Sequence, residues 1–466
     1  MSTPSLASGP EGPHALRPLL DTVLQALDEG THARGGPLPA GGPTAVAARL
    51  QAALGDVLPE HGDPDALRTL VYALAEGAAD PADPLCAAHL HCPPLAVATA
   101  ADLAASVLNP SLDSWDQAPA ASELETLVSR ALAAEVYAGA APSAGPHSPA
   151  PDALITTGGT ESNQLALLLA RETHGAGLRL ICGADAHHSL PRAAWLLGLP
   201  DPVTIPAPTG TLDPAALDEA LTTLPGPHLV AATAGTTDAG LIDPLPEIAA
   251  LCTAHHARLH IDAAYGGGLL LSDRHRNKLT GLDHAHTVTL DLHKLGWQPV
   301  AAGLLAVRDP HDLTALKQHT DYLNADDDTE AGLPDLLGRS LRTTRRPDIL
   351  KIAVTLKTLG RTGLGALVDQ VCDRAGEFAA LVLDHPGFEL YDRPTISTVL
   401  FRPAHTTDDA VAALRRKLLH QGRAVLGRAR PDGRLWLKAT LLNPHTRPDD
   451  LATLLALVEK AAEEPA

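Results

Sequence analysis

The sequence predicts an α/β protein: a large domain on a mainly parallel sheet, a small C-terminal α+β domain, and an N-terminal helical arm. Three observations carry this. From Asp152 to about Val307, short β-branched and aliphatic runs alternate with helical segments, as in a sheet with crossover helices. From Phe388 onward, strands and helices follow one another in a shorter α+β unit. Ahead of residue 86 the readable elements are helices. The expected boundaries are 1–85 for the arm, 86–360 for the large domain and 361–466 for the small one.

A chain of 466 residues is too long for one simple core. Its apolar residues reach 45% but aromatics only 3%, so the cores are expected to be aliphatic. The net charge of -20 argues against a nucleic-acid partner. No run of about 18 apolar residues marks a membrane span. The first ten residues lack the basic patch and apolar core of a secretory signal. The five cysteines (Cys86, Cys92, Cys182, Cys252, Cys372) are scattered and form no CxxC pair, which reads as reduced thiols in a cytoplasmic protein.

In order, the arm opens with a helix from about Leu16 to Glu29, with Leu19, Leu20, Val23 and Leu27 on one face. Two Gly-Gly-Pro breaks follow, then helical segments Ala45–Leu54 and Asp65–Ala75. The arm is expected to pack on another subunit or on the main domain. After Ala88-His-Leu-His-Cys-Pro-Pro94 comes an Ala-rich helix to about Val107. A polar loop, Asn109–Gln117, leads into an amphipathic helix, Ser122–Tyr137, and Gly139–Pro151 reads as a linker. Strand-like runs begin at Ala153, Leu178, Pro202, Leu229, Ala257, Thr287 and Gly303, with helices Glu161–Thr173, Leu190–Leu197 and Pro214–Thr223 among them. The last two strands are joined too closely for a helix, so an antiparallel edge strand is expected there. An acidic connection and the basic stretch Arg339–Arg346 follow, and Pro347–Gly360 starts a long helix. The last unit reads as strands at Phe388, Ser397 and Arg434 with helices Thr407–Gln421 and Asp449–Ala462.

Ligands of such folds sit beyond the carboxyl ends of the strands. The first end carries Thr156-Thr-Gly-Gly-Thr-Glu-Ser-Asn163, entering a helix. Gly158 and Gly159 let the backbone approach a ligand, and free N–H groups at the helix start make an anion cup; an ordinary capped turn reads the same way. The second end carries His187-His188-Ser189. These histidines are either metal ligands or a flat ring offered to a planar cofactor; no third ligand lies at zinc-like spacing, so no metal is expected. A later end carries Asp262-Ala-Ala-Tyr-Gly-Gly-Gly268. A carboxylate buried there needs a cation, and Ala264 is small enough for a ring to lie against the backbone. The last is Asp291-Leu-His293-Lys294. Burial disfavours an ammonium, and the free amine is the form that attacks an aldehyde. A phosphate cup, a stacking imidazole, a buried aspartate and a lysine, in that order, suit one ligand: pyridoxal 5′-phosphate.

From about Ala88 to the C-terminus the chain resembles the group II pyridoxal-phosphate-dependent amino-acid decarboxylases. The resemblance rests on Thr157–Asn163, His187–Gly198, Thr233-Ala-Gly-Thr-Thr237, Asp262–Gly267 and Asp291–Lys294. It implies the type I fold of pyridoxal-phosphate-dependent transferases and a homodimer with its active site at the interface. It also implies roles: Lys294 holding the cofactor covalently, Asp262 pairing with its ring nitrogen, His187 stacking on the ring, and Gly159, Thr160 and His293 holding the phosphate. Thr233 would support Asp262, and Tyr322 would be the lid tyrosine that returns a proton to Cα. Ala88–Pro94, Asp113–Ala120, Asp321–Asn324 and Arg339–Arg346 look most like the bacterial L-2,4-diaminobutyrate decarboxylases, relatives of siderophore-pathway lysine decarboxylases. Arg342 stands where glutamine is usual, Pro347 where an aromatic is usual and Ala429 where threonine is usual.

The expected activity is decarboxylation of a small amino acid, a diamino acid first. Asp113, Asp116 and Gln117 are candidates to recognise its distal amine, with His89 and His91 lining the pocket; a purely structural loop accounts for the same residues. The alternatives are decarboxylation of lysine, ornithine, an aromatic or an acidic amino acid, an aminotransferase or lyase on the same cofactor, a non-catalytic homologue, and an unrelated nucleotide-binding enzyme using Thr157–Asn163.

Overall fold

The structure, a computed structural model, describes residues 4–139, 149–317 and 320–464; the side chains of Asp321 and Tyr322 lie outside the description. Most of the expected linker, 140–148, also lies outside it. The described residues fall into two compact units. One gathers Met1–Pro93, Arg374–Arg393 and Thr398–Ala466, the other Pro94–Asp373 and Pro394–Ser397. No described helix is long and apolar enough to cross a membrane.

The second unit is built on seven strands: β1 Asp152–Thr156, β2 Arg179–Gly183, β3 Val203–Ile205, β4 His228–Thr233, β5 Arg258–Asp262, β6 Thr287–Asp291 and β7 Gly303–Val307. Their order across the sheet is β1-β7-β6-β5-β4-β2-β3. All seven strands expected from the sequence are present, and the pairs from β6 to β3 are parallel. The antiparallel strand is β7, but it is not at the edge: it lies between β1 and β6 and is antiparallel to both. The short β6–β7 link cannot carry a crossover helix, which dictates the direction. A wholly buried β7 needs a neighbour on each side, and β1 supplies the outer one.

This order positions the site. Thr156 of β1 stands opposite Gly303, and Gly303 opposite Asp291 of β6. Thr289 of β6 stands opposite Asp262, which stands opposite Thr233 of β4. The Gly158 turn, Asp291, Asp262 and Thr233 therefore line up along one edge of the sheet. Helix Gly159–His174 covers the neighbouring strands, with Leu165 and Leu169 in a cluster with Leu154, Leu305 and Val307. Leu167 and Ala170 enter a second cluster with Leu178, Leu180 and Leu229. Each such leucine contributes about 1.5–3 kcal/mol by leaving water. Helix Leu245–Ala254 has no counterpart in the sequence reading; an Ala-rich ten-residue stretch gives little periodicity. Helix Ile349–Asp384 is long as expected, and is interrupted at Gly360, whose φ of 63° is not helical.

In the first unit a four-stranded antiparallel sheet comprises β8 Phe388–Leu390, β9 Thr398–Pro403, β10 Gly427–Ala429 and β11 Trp436–Thr440, in the order β10-β11-β9-β8. Phe378, Val382, Phe401, Leu437, Leu414 and Leu454 share its core. The leucine face of the helical arm lies open on the single chain. Leu19 and Leu27 of helix Gly12–Arg34 are 49% and 43% exposed, and the residues it buries are Gly12, Ala26 and Gly30. A Cβ on Gly30 would lie 2.6 Å from the Tyr72 carbonyl and 2.7 Å from Ala75 Cβ, so helix Ala66–Gly77 approaches through small residues and leaves the leucines outside.

Candidate active site

Lys294 follows β6, with its Nζ 3.0 Å from Asp291 Oδ2, and His293 Nε2 lies 3.5 Å from the same oxygen. The Asp291 side chain is only 3% exposed. His293 Nδ1 accepts the backbone N–H of Ala302 at 3.3 Å, which leaves Nε2 as the protonated nitrogen of the neutral ring. Burial pushes the His293 pKa down, against the pull of Asp291.

Asp262 ends β5 and is buried. Its Oδ1 accepts the Ala264 N–H at 3.1 Å and its Oδ2 accepts the Asn163 side-chain amide at 2.8 Å. Thr233 stands beside it in register, but the Thr233 N–H goes to Asp243, and the Ala234 N–H goes to the Asp262 carbonyl. His187 lies near Asp262, Lys294 and Asp291, whose charges all act on it; burial is the larger effect and lowers its pKa. The His188 ring lies 4.2 Å from that of His187 and is exposed.

Gly158 and Gly159 form the turn between β1 and helix Gly159–His174. Gly158 has φ 147° and ψ -176°, a conformation open essentially to glycine alone. A Cβ on Gly158 would lie 2.9 Å from His293 Cε1; one on Gly159 would lie 3.1 Å from Ala264 Cβ and 3.2 Å from Asp291 Oδ2. The bare turn thus faces His293, Ala264 and Asp291. Thr160, in the helix's first turn, is exposed. Glu161 folds back to accept the Thr157 N–H at 2.6 Å and hydroxyl at 2.7 Å, and its other oxygen accepts Arg342 Nε at 3.1 Å.

The other candidates are placed differently. Asp113 is buried and bonded to Ser111 and, at 3.3 Å, to the Thr344 hydroxyl. Asp116 and Gln117 are exposed and bonded to Ser114 at 2.5 and 2.9 Å. None of the hydrogen bonds described for these three reaches Lys294, Asp262 or His187. His89 and His91 are exposed and belong to the other unit. Tyr322 falls on the short helix Asp321–Asn324, and its side chain lies outside the described residues.

The family described as pyridoxal-dependent decarboxylase conserved domain matches residues 63–404. The chain belongs to this decarboxylase family. Among its relatives, the L-2,4-diaminobutyrate decarboxylase of Rhizobium meliloti (strain 1021) is 40% identical over 429 residues, 88% of this chain and 84% of that one. That of Acinetobacter baumannii is 32% identical, covering 81% and 79%. The fold matches the glutamate decarboxylase domain of diaminobutyrate-pyruvate transaminase and L-2,4-diaminobutyrate decarboxylase from Vibrio parahaemolyticus, with TM-score 0.85, 31% identity and coverage of 98% and 97%. Oryza sativa TDC with PLP and tryptamine shares the fold at TM-score 0.87 and 24% identity.

This decarboxylase is therefore a carboxy-lyase whose cofactor is pyridoxal 5′-phosphate. Its residues fit that group on one structural count: the glycine turn leaves a cradle that a Cβ would fill. Near the turn lie the amine of Lys294, the carboxylate of Asp262 and the imidazole of His187. The residue whose part the sequence reading missed is Asn163. Its signal was present: three positions after Thr160, it sits one helical turn in, on the side that faces the strands.

Proposed function

We propose that this decarboxylase acts on L-2,4-diaminobutyrate, releasing carbon dioxide and propane-1,3-diamine. The observation that carries the reading is that two relatives bearing that activity in their names are 40% and 32% identical to this chain over at least 79% of their own length. A chain of net charge -20 also favours approach of a cationic diamino acid.

When bound, pyridoxal 5′-phosphate supplies an electron sink for the pair left as the bond from Cα to the carboxylate breaks. Lys294 would hold the cofactor at its aldehyde carbon, and the Asp262 carboxylate would keep a proton on the ring nitrogen. Gly158, Gly159 and Thr160 would bind the phosphate at the helix start, joined by His293 Nε2. His187 would stack on the ring, Ala264 is small enough to leave room for it, and Thr233 braces the strand that carries Asp262. Asp291 orients the Lys294 amine. Tyr322 returns a proton to Cα. Asp113, Asp116 and Gln117 are assigned to the distal ammonium of the substrate, with His89 and His91 proposed as pocket lining.

The working unit is proposed as a cytoplasmic homodimer with the site at its interface, and each chain as the arm, large domain and small domain bounded at 85 and 360. Initial rates of amine formation from 2,4-diaminobutyrate, ornithine, lysine, glutamate, aspartate and aromatic amino acids test the substrate. The reading expects the highest kcat/KM for 2,4-diaminobutyrate; a preference for an acidic or aromatic substrate contradicts it.

A further inference from the structure

Asn163 stands at the centre of a buried network that links the two groups assigned to the cofactor's ring. Its side-chain amide uses all of its hydrogen-bonding capacity. The two N–H bonds go to Asp262 Oδ2 at 2.8 Å and Ser189 Oγ at 2.9 Å. The carbonyl Oδ1 accepts from His260 Nε2 at 3.0 Å and from the Thr289 hydroxyl at 2.9 Å. The amide cannot be turned over, because its oxygen would then face the Asp262 carboxylate, acceptor against acceptor. Asn163, Ser189, His260 and Thr289 are fully buried, so an unmet group here finds no water.

The fixed amide dictates the protons further along. Ser189 Oγ already receives a hydrogen from Asn163, and His187 Nδ1 lies 2.8 Å from it on the other side. The Ser189 backbone N–H points at the same Nδ1, at 3.3 Å, so Nδ1 is an acceptor and the serine hydroxyl is left to donate to it. With Nδ1 accepting twice, the neutral ring carries its proton on Nε2. On the opposite side, Asn163 Oδ1 requires His260 to carry its proton on Nε2, leaving His260 Nδ1 to accept from the Thr287 hydroxyl at 2.9 Å.

We propose that Asn163 is a positioning residue: a single amide holds the Asp262 carboxylate in place and, through Ser189, sets the Nε2–H tautomer of His187. This rests on the roles proposed for Asp262 and His187 toward the cofactor. Its consequence is that the imidazole keeps an N–H rather than a lone pair on its distal nitrogen, while Asp262 keeps its orientation during each exchange of amines at Lys294.

The test uses the full chain with ¹⁵N-labelled histidine, in the absence of cofactor. Long-range ¹H–¹⁵N correlation reads the tautomer directly, and His187→Gln identifies the His187 signals. The wild type is expected to have Nε2 protonated and Nδ1 bare. Ser189→Ala cuts one arm and leaves only the residue 189 backbone N–H at Nδ1, so the Nε2–H share of His187 falls below the wild type's while Asp262 stays held. Asn163→Leu cuts both: the Nε2–H share falls likewise, and the dissociation constant for pyridoxal 5′-phosphate, measured by equilibrium dialysis, rises about 10- to 150-fold, the factor carried by one hydrogen bond to a charged group. The loss of affinity in Ser189→Ala is smaller than in Asn163→Leu. A thermal melt checks that each variant folds, and Asn163→Ala replaces the leucine variant if that one does not. A wild-type His187 protonated on Nδ1 overturns the proposal, as does an Asn163 variant that keeps both the Nε2–H signature and wild-type affinity. The tautomer needs no substrate and no turnover, so this outcome is independent of which amino acid the enzyme decarboxylates.

Discussion

Replacing Gly158 by alanine tests the phosphate cup at its tightest point. The backbone there, φ 147° and ψ -176°, lies where a side chain costs about 1–3 kcal/mol. The added methyl would also sit 2.9 Å from His293 Cε1. Retreat toward β7 is closed, because Gly303 packs so tightly on the turn that a Cβ there would lie 2.4 Å from Gly158 Cα. The turn must therefore move away from His293 and take the start of helix Gly159–His174 with it. Losing one backbone N–H bond to a dianionic phosphate costs about 1.5–3 kcal/mol, which is roughly 10- to 150-fold in affinity. Fluorescence titration of the full chain should show that loss for pyridoxal 5′-phosphate. Pyridoxal, which lacks the phosphate, should lose under about threefold, or less than ~1 kcal/mol. Equal losses for the two ligands would refute the reasoning, since the turn would then act on the ring or on the fold as a whole.

Two further predictions concern stability. Burial holds the His260 pKa below its ordinary 6.5, so the unfolded chain takes up a proton that the folded one refuses. Stability is therefore full above about pH 6.5 and declines as pH falls below it: melting temperatures should drop between pH 7.5 and 5.5, and His260→Gln should flatten the slope. Arg345 and Glu125 form a two-bond ion pair at 2.8 and 2.9 Å, with side chains 2% and 5% exposed. Arg345→Met leaves the carboxylate buried alone and should cost about 3–5 kcal/mol, whereas Arg345→Met with Glu125→Leu should recover most of it in denaturant titrations.

The strand number of the large sheet and the order of chemical groups were legible because both are local; in the small sheet the three-residue β10 was too short to be read. Each buried strand is a short β-branched or aliphatic run, and Asp262, Lys294 and the Gly158–Gly159 turn each follow one directly. What was not legible depends on strands meeting from far apart. The wedge of β7 between β1 and β6, which brings Gly158 beside Asp291, is a pairing across about 150 residues that no periodicity records. Asn163 could be quoted as part of a helix start, but its partners come from three other segments: Ser189, the strand that carries His260 and Asp262, and Thr289. The arm's contact within the chain was not legible for a different reason: leucine spacing marks a face, yet the closest approach is through Ala26 and Gly30, and small residues carry little weight in a hydrophobic pattern.

The central claim is that Lys294, at the end of β6, is the residue that holds the cofactor. Borohydride reduction of the pyridoxal 5′-phosphate-loaded enzyme, followed by digestion and mass spectrometry, reads this directly. The account predicts one stable phosphopyridoxyl label, on Lys294, and no label in Lys294→Ala. A label on another lysine, or a Lys294→Ala variant that still carries it, would contradict the account.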